Sequence, residues 1–153
     1  MISEIQECLR VLAEIKDEIK GIIKNLDQES LNWTPLSPEE TNSIFSLVVH
    51  LCGSERQMIH HTIGQIKIER DREAEFRAKG ESVNELERLL KETSETSREI
   101  LESLTADQLE ELRDTGLWGE ITVRRAILRQ IHHQALHLGQ IQITRQLYEA
   151  NPK

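Results

Sequence analysis

Apolar residues recur every seven positions at the start of this chain, and that repeat limits its fold more than any other feature. Ile5, Leu12, Ile19 and Leu26 are spaced in this way, with Cys8, Ile15 and Ile22 between them and Glu and Lys filling the other positions. Seven residues make about two helical turns, so the apolar side chains share one face and the charged ones the other. An amphipathic helix is expected from about Ser3 to Leu26, and Ser3-Glu4-Ile5-Gln6 has the form of a capping box at its start. A helix with one apolar seam must bury it, and other helices are the simplest cover.

Such helices recur. The connection from Ser30 to Asn42 holds Pro35 and Pro38, which resist helix, and Trp33, expected to pin it onto the neighbouring helices. A second helix starts near Asn42 or Ser43 and runs through Leu47, Val48, Leu51, Met58 and Ile59 to about Ile68. Gly53 and Gly64 lie inside it at about 1 kcal/mol each relative to Ala, which suggests close packing or room for a ligand. The charged run from Glu69 to Lys79 reads as a solvated helix extension or linker. Ser82-Val83-Asn84-Glu85 is a second capping box, opening a third helix whose stripe of Leu86, Leu90, Thr93, Ser97, Ile100 and Leu104 turns polar in the middle. Thr105 to Gln108 opens a short helix, Asp114 to Glu120 reads as a loop, and a fourth helix capped by Thr122 runs to about Glu149. The expected fold is all-α: a four-helix bundle with long connections and a short extra helix before the last, in a single domain over residues 1–153.

Charge narrows the partners. A formal net charge of −8 disfavours nucleic acid and anionic membrane surfaces, both of which call for basic protein. A substrate carrying carboxylates would need local positive charge, such as a bound divalent metal provides. No apolar stretch approaches the ~20 residues that span a bilayer. The first residues are acidic where a secretory signal would be basic, so a cytoplasmic location is expected. Cys8 and Cys52 fall within apolar helical patterns and are expected to be free buried thiols.

Polar residues on the fourth helix point to chemistry. Ile127, Ile131, Leu138 and Ile141 form its apolar stripe, and beside them run Ala126, Gln130, His133, His137, Gln140 and Thr144. His133 and His137 are four residues apart, so their side chains are neighbours on one helical face and suited to share a metal ion. A solvent-exposed stripe with incidental histidines would carry the same spacing. The Glu of a zincin protease is missing, because Gln134 stands in its place. Gly139 in mid-helix suggests close approach of another backbone. His50, in the second helix, is the candidate third ligand. His60 and His61, about three turns on, are assigned to the surface. His132 projects about 100° away from the His133 face.

The chain resembles the DinB-like (DinB/YfiT-like) superfamily of bacterial metalloenzyme bundles. Asn42-Ser43-Ile44-Phe45-Ser46-Leu47-Val48-Val49-His50-Leu51-Cys52-Gly53-Ser54-Glu55 is similar to its Ser-Ile-x-x-Leu-x-x-His-Leu-x-x-x-Glu helix. Thr122-Val123-Arg124, followed by His133-x3-His137-x-Gly139-Gln140, is similar to its last helix. Leu138 departs from the pattern, standing where many members carry a further His. The resemblance implies three metal ligands, His50, His133 and His137, for a divalent transition metal, zinc or nickel foremost. It implies a metal-dependent enzyme of small-molecule metabolism or detoxification, a thiol S-transferase using a low-molecular-weight thiol co-substrate, or a hydrolase. Glu55 is then a candidate base or proton relay and Gln57 a candidate hydrogen-bonding group for substrate. Gln130, Gln140 and Glu55 are candidates to orient the imidazoles. The alternative is a non-catalytic metal- or ligand-binding bundle, or a stress-related interaction module. The resemblance also allows a homodimer.

Overall fold

A computed structural model describes residues 1–151. Four long helical rods form the bundle: α1 (Ser3–Ile23), α3 (Ile44–Glu55) running directly into a π-helical stretch (Arg56–Ile63), α5 (Val83–Glu102) and α6 (Val123–Ala150). Short elements join them: α2 (Gln28–Asn32), α4 (Arg72–Arg77), a 3₁₀ turn (Asp107–Glu110), and a hairpin of β1 (Leu112–Asp114) and β2 (Glu120–Thr122), paired antiparallel with Leu112 opposite Thr122. α1 and α3 each pack on both α5 and α6, which closes the ring. The four-helix bundle with a short helix before the last stands.

The core has two apolar halves with a polar layer between them. One half gathers Ile15, Ile19, Ile23, Leu47, Leu51, Leu90, Leu138 and Ile141. The other gathers Ile5, Leu12, Met58, Ile59, Leu101, Val123 and Ile127. Each rod crosses from one half to the other through buried polar residues: Lys16 on α1, Glu55 on α3, Thr93 and Ser97 on α5, Gln130 and Gln134 on α6. Buried polar groups destabilise a core unless they find partners, and this layer is largely partnered. Thr93 and Ser97 interrupt the α5 stripe because they receive His60, whose Nε2 donates to the Thr93 carbonyl at 3.2 Å and lies 3.0 Å from Ser97 Oγ.

That contact corrects the assignment of His60 to the surface; His60 is buried, whereas His61 is exposed as expected. The cause is the π-helical stretch, whose i→i+5 bonding widens the turn and shifts the phase of every later residue. The second helix also ends sooner than its pattern suggests. Gly64 caps it and Gln65 takes a left-handed conformation (φ 56°), which stops it short of Ile68.

Other local expectations divide. Ser82 and Glu85 form the expected capping box on α5, and Thr122 caps α6 by accepting from Arg125 N–H. Ser3 does not cap α1. The cap falls on Ile2, which packs against the second half of the core, so apolar burial fixed the start of the helix. The loop expected between Asp114 and Glu120 is the turn of the hairpin, and Gly116 and Gly119 supply its positive φ values of 71° and 67°. Trp33 meets Tyr148 of α6 edge-on, with ring centroids 5.6 Å apart, and so pins the connection as expected. Cys8 and Cys52 are free and buried.

Candidate metal centre

Three imidazoles converge where the polar layer of α3 faces that of α6. His50 is buried, and His133 and His137 are half-buried one turn apart. His133 Nε2 lies 3.3 Å from His50 Nε2 and 3.1 Å from His137 Nε2. One potential ligand atom from each ring falls within 4.8 Å of the other two.

The outer nitrogens explain why the inner ones are available. His50 Nδ1 lies 2.9 Å from Glu75 Oε2, and His137 Nδ1 lies 2.6 Å from Gln140 Oε1. A carboxylate and an amide oxygen only accept, so both Nδ1 atoms carry the proton and both Nε2 atoms present lone pairs. Ser54 Oγ donates to Gln130 Oε1 at 3.3 Å, which leaves it to accept from His133 Nδ1 at 3.2 Å. All three Nε2 lone pairs then face one another, an arrangement that repels until a cation enters. This donor set fits a transition metal that favours imidazole, and each ring is oriented from its far side as metal-ligating histidines are.

Glu75 is the residue that sequence reasoning missed. It sits on α4, in the charged run assigned to solvent, yet it is buried. Arg70 grips it with Nε at 2.7 Å and Nη2 at 2.8 Å. Burial alone would raise its carboxyl, but the hydrogen bonds from Arg70 and His50 outweigh burial and hold it down at about 2. Gly53 makes room for it: a Cβ there would lie 2.0 Å from Glu75 Oε1. That glycine, one turn after His50 in a helix interior, was the sequence signal. Phe76, next to Glu75, stacks on the His50 ring at 4.3 Å, and the Arg72 guanidinium lies 4.8 Å above the Phe76 ring.

Other candidates lie elsewhere. Glu55 is fully buried and holds Lys16 Nζ at 2.6 Å and Gln134 Nε2 at 2.6 Å, with no hydrogen bond to the three histidines. Gln57 lies half-buried in the π-helical stretch, where its backbone carbonyl accepts from Thr62. Of the proposed orienting residues, Gln140 acts directly and Gln130 acts through Ser54. Gly139 is exposed with no atom near its absent Cβ, so the expected close backbone approach does not occur. His132 is exposed. Burial pushes the Cys52 thiol up to about 12, with Glu55 adding to the effect, so it is no nucleophile.

Burial holds His133 down at about 3, helped by the neighbouring His137 and His50, and burial also lowers His137. These rings are therefore neutral where an exposed histidine would begin to protonate. The unfolded chain binds protons near pH 6.5 that the folded chain refuses, so stability falls as pH drops from there. Glu75 acts in the same sense, because its depressed pKa gives stability that is lost as pH falls through 4.5 towards 2. The metal-free protein should lose urea stability steadily between about pH 6.5 and 3. A urea midpoint that stays flat across this range would contradict the buried, neutral cluster.

The sequence matches the family model described as mycothiol S-transferase over residues 8–150. The chain belongs to that family. Among solved structures, it is similar to a conserved protein from Enterococcus faecalis, with a TM-score of 0.77 and 14% identity over 99% of this chain and 100% of that one. A DinB-like protein from Bacillus cereus superposes with a TM-score of 0.75 and 15% identity, over 97% of this chain and 95% of that one. These likenesses speak for the fold, and the DinB-like resemblance stands. No curated protein matches the sequence. No helix among the described residues is long and apolar enough to cross a membrane.

Proposed function

We propose that this member of the mycothiol S-transferase family is a metal-dependent thiol S-transferase, joining a low-molecular-weight thiol to an electrophilic carbon at the His50, His133 and His137 cluster. The observation that carries it is the convergence of three Nε2 lone pairs, each fixed by its own partner: Glu75, Ser54 and Gln140. Three protein ligands are the number that leaves a catalytic zinc site open to an outside group. When bound, a divalent zinc or nickel ion would supply the positive charge that lowers the pKa of a thiol.

The chain's own residues do the rest. Glu75 and Gln140 hold two imidazoles in the ligating tautomer. The Phe76 ring covers one side of His50 and keeps water from it. Arg72 stands over Phe76 and acts electrostatically on His137, and it pairs with no carboxylate among the described residues, so it favours a thiol that carries a carboxylate. This supplies local positive charge on a chain whose net charge is −8. The matched family model is that of a thiol S-transferase, and Glu55, the sequence candidate for a hydrolytic proton relay, is already engaged by Lys16 and Gln134. The transferase reading is therefore preferred.

The test is thiol consumption by zinc- or nickel-loaded protein with a panel of electrophiles. A rate at least about tenfold above metal-free protein is expected, and no metal-dependent consumption with any pair would remove the proposal. In the same assay, Arg72→Gln should raise KM for mercaptosuccinate by roughly 3- to 10-fold, the range for losing one charge-assisted contact. It should leave KM for neutral 2-mercaptoethanol little changed, and Arg72→Lys should recover part of the loss.

A further inference from the structure

A cavity of about 770 Å³ opens between the connection after α2 and the last turns of α6. Trp33, Leu36, Leu47, Ile143, Leu147 and Ala150 form its apolar wall. Leu36, Ile143 and Leu147 stay 62%, 49% and 44% exposed, so the fold itself does not use this apolar surface. Trp33 is braced edge-on by Tyr148. The volume falls in the range of small-molecule sites, roughly 300–1,000 Å³.

Two residues join this cavity to the histidine cluster. Leu47 lies one turn before His50 on α3, and Gln140 lies one turn after His137 on α6. Three residues of helix rise about 4.5 Å, so the cavity wall begins beside the imidazoles. Gln140 lines the cavity and also receives His137 Nδ1–H on its Oε1 at 2.6 Å. Its amide nitrogen makes no hydrogen bond among the described residues, so two N–H donors are left at the junction of cavity and cluster.

We propose that this cavity binds the electrophilic co-substrate, and that it takes an apolar aryl or alkyl body with a hydrogen-bond acceptor conjugated to the reacting carbon, as in an α,β-unsaturated ketone. The apolar wall holds the body, and the Gln140 amide donates to the carbonyl oxygen. The thiol sulfur bonds to the β-carbon, the carbon–carbon π pair shifts towards the carbonyl, and the proton released by the thiol ends on the α-carbon. No oxidant, reductant or further reactant is needed. This assignment rests on the thiol S-transferase reading.

The experiment uses the metal-loaded full chain and two acceptors, 4-phenyl-3-buten-2-one and the small polar acrylamide. Its unreactive saturated relative, 4-phenylbutan-2-one, reports binding alone by ligand-observed NMR. Leu147→Gln and Leu36→Gln alter exposed positions of the wall and serve as independent variants. Each should weaken binding of the saturated ketone and lower the ratio of kcat/KM for the phenyl enone over acrylamide by about tenfold, the scale of apolar pocket discrimination. Unchanged binding and an unchanged ratio in both variants would overturn the cavity assignment, even with metal-dependent acrylamide consumption intact. A wild-type dimer that Leu147→Gln converts to monomer would give the face to a second copy, and so would also overturn it. Loss of metal-dependent thiol consumption with both acceptors in the wild type would instead sink the transferase reading, and the acceptor role with it.

Discussion

His133→Ala should emerge from cells grown with zinc and nickel carrying less than about a tenth of the metal bound by the unaltered chain. His133 is the middle member of the cluster: the 3.3 Å and 3.1 Å separations both run through its Nε2. Without it, His50 on α3 and His137 on α6 are left as a two-ligand remnant. Two imidazoles hold a divalent ion far more weakly than three, and competing chelators in the cell then win. Elemental analysis of the purified protein, followed by titration against a chelator of known affinity, measures the loss. Glu75→Gln is the contrasting variant. It keeps all three nitrogens but removes the carboxylate that fixes the His50 ring and balances Arg70. Its affinity should fall by about 10- to 100-fold, the usual loss when an orienting partner is removed. A His133→Ala protein that retained stoichiometric metal would move the metal off this cluster altogether. Equal losses in the two variants would mean that Glu75 does more than orient.

What sequence could and could not reveal about this centre follows from how far each signal travels along the chain. The α1 repeat is local, and Ile5, Cys8, Leu12, Ile15 and Ile19 are all buried along one seam. The His133 and His137 pair is local too, because four residues of α-helix bring its members together whatever surrounds them. His50 stood out as a histidine in a second amphipathic helix, and the family resemblance tied it to the pair. Glu75 is another matter. Nothing within the run Arg70 to Arg77 distinguishes it from its charged neighbours, and its partner is 25 residues back along the chain. Only Gly53 carried a trace of it, as space vacated for a side chain from elsewhere. His60 was lost because a polar residue near a helix end is ordinarily exposed, whereas here a π-helical turn, which breaks the 100° helical step, lies where it turns into the core. The polar interruption at Thr93 and Ser97 recorded its presence from the other side. The hairpin was invisible because strands of three residues are too short to show alternation.

Glu55→Leu should destabilise the protein by about 3–5 kcal/mol, the loss expected when one partner of a buried ion pair is removed. Glu55 is 0% exposed and Lys16 only 5%. The mutation leaves the Lys16 ammonium in an apolar setting without its carboxylate, and it leaves the Gln134 amide without an acceptor. Uncompensated burial of a charge, more than loss of the attraction itself, sets that magnitude. The double variant Lys16→Met, Glu55→Leu should therefore recover most of the loss, since a buried pair exchanged for apolar residues of similar size is often neutral or better. Urea unfolding of the wild type, both single variants and the double variant measures this, provided the four slopes agree. Additive losses, with no recovery in the double, would mean that the pair is not buried as the structure has it. The double variant also isolates the role of Glu55 in the chemistry. Gln134 follows His133 directly, so the bond from Gln134 to Glu55 ties the α6 face that bears the histidines to α3, and through Lys16 to α1. If Glu55 serves only as that tie, the refolded double variant should keep metal-dependent turnover, with metal affinity altered by no more than the shift in α6 allows. If it moves a proton, turnover should collapse while metal content and fold stay intact. The bundle geometry favours the first outcome, because both carboxylate oxygens are already occupied by partners of the core.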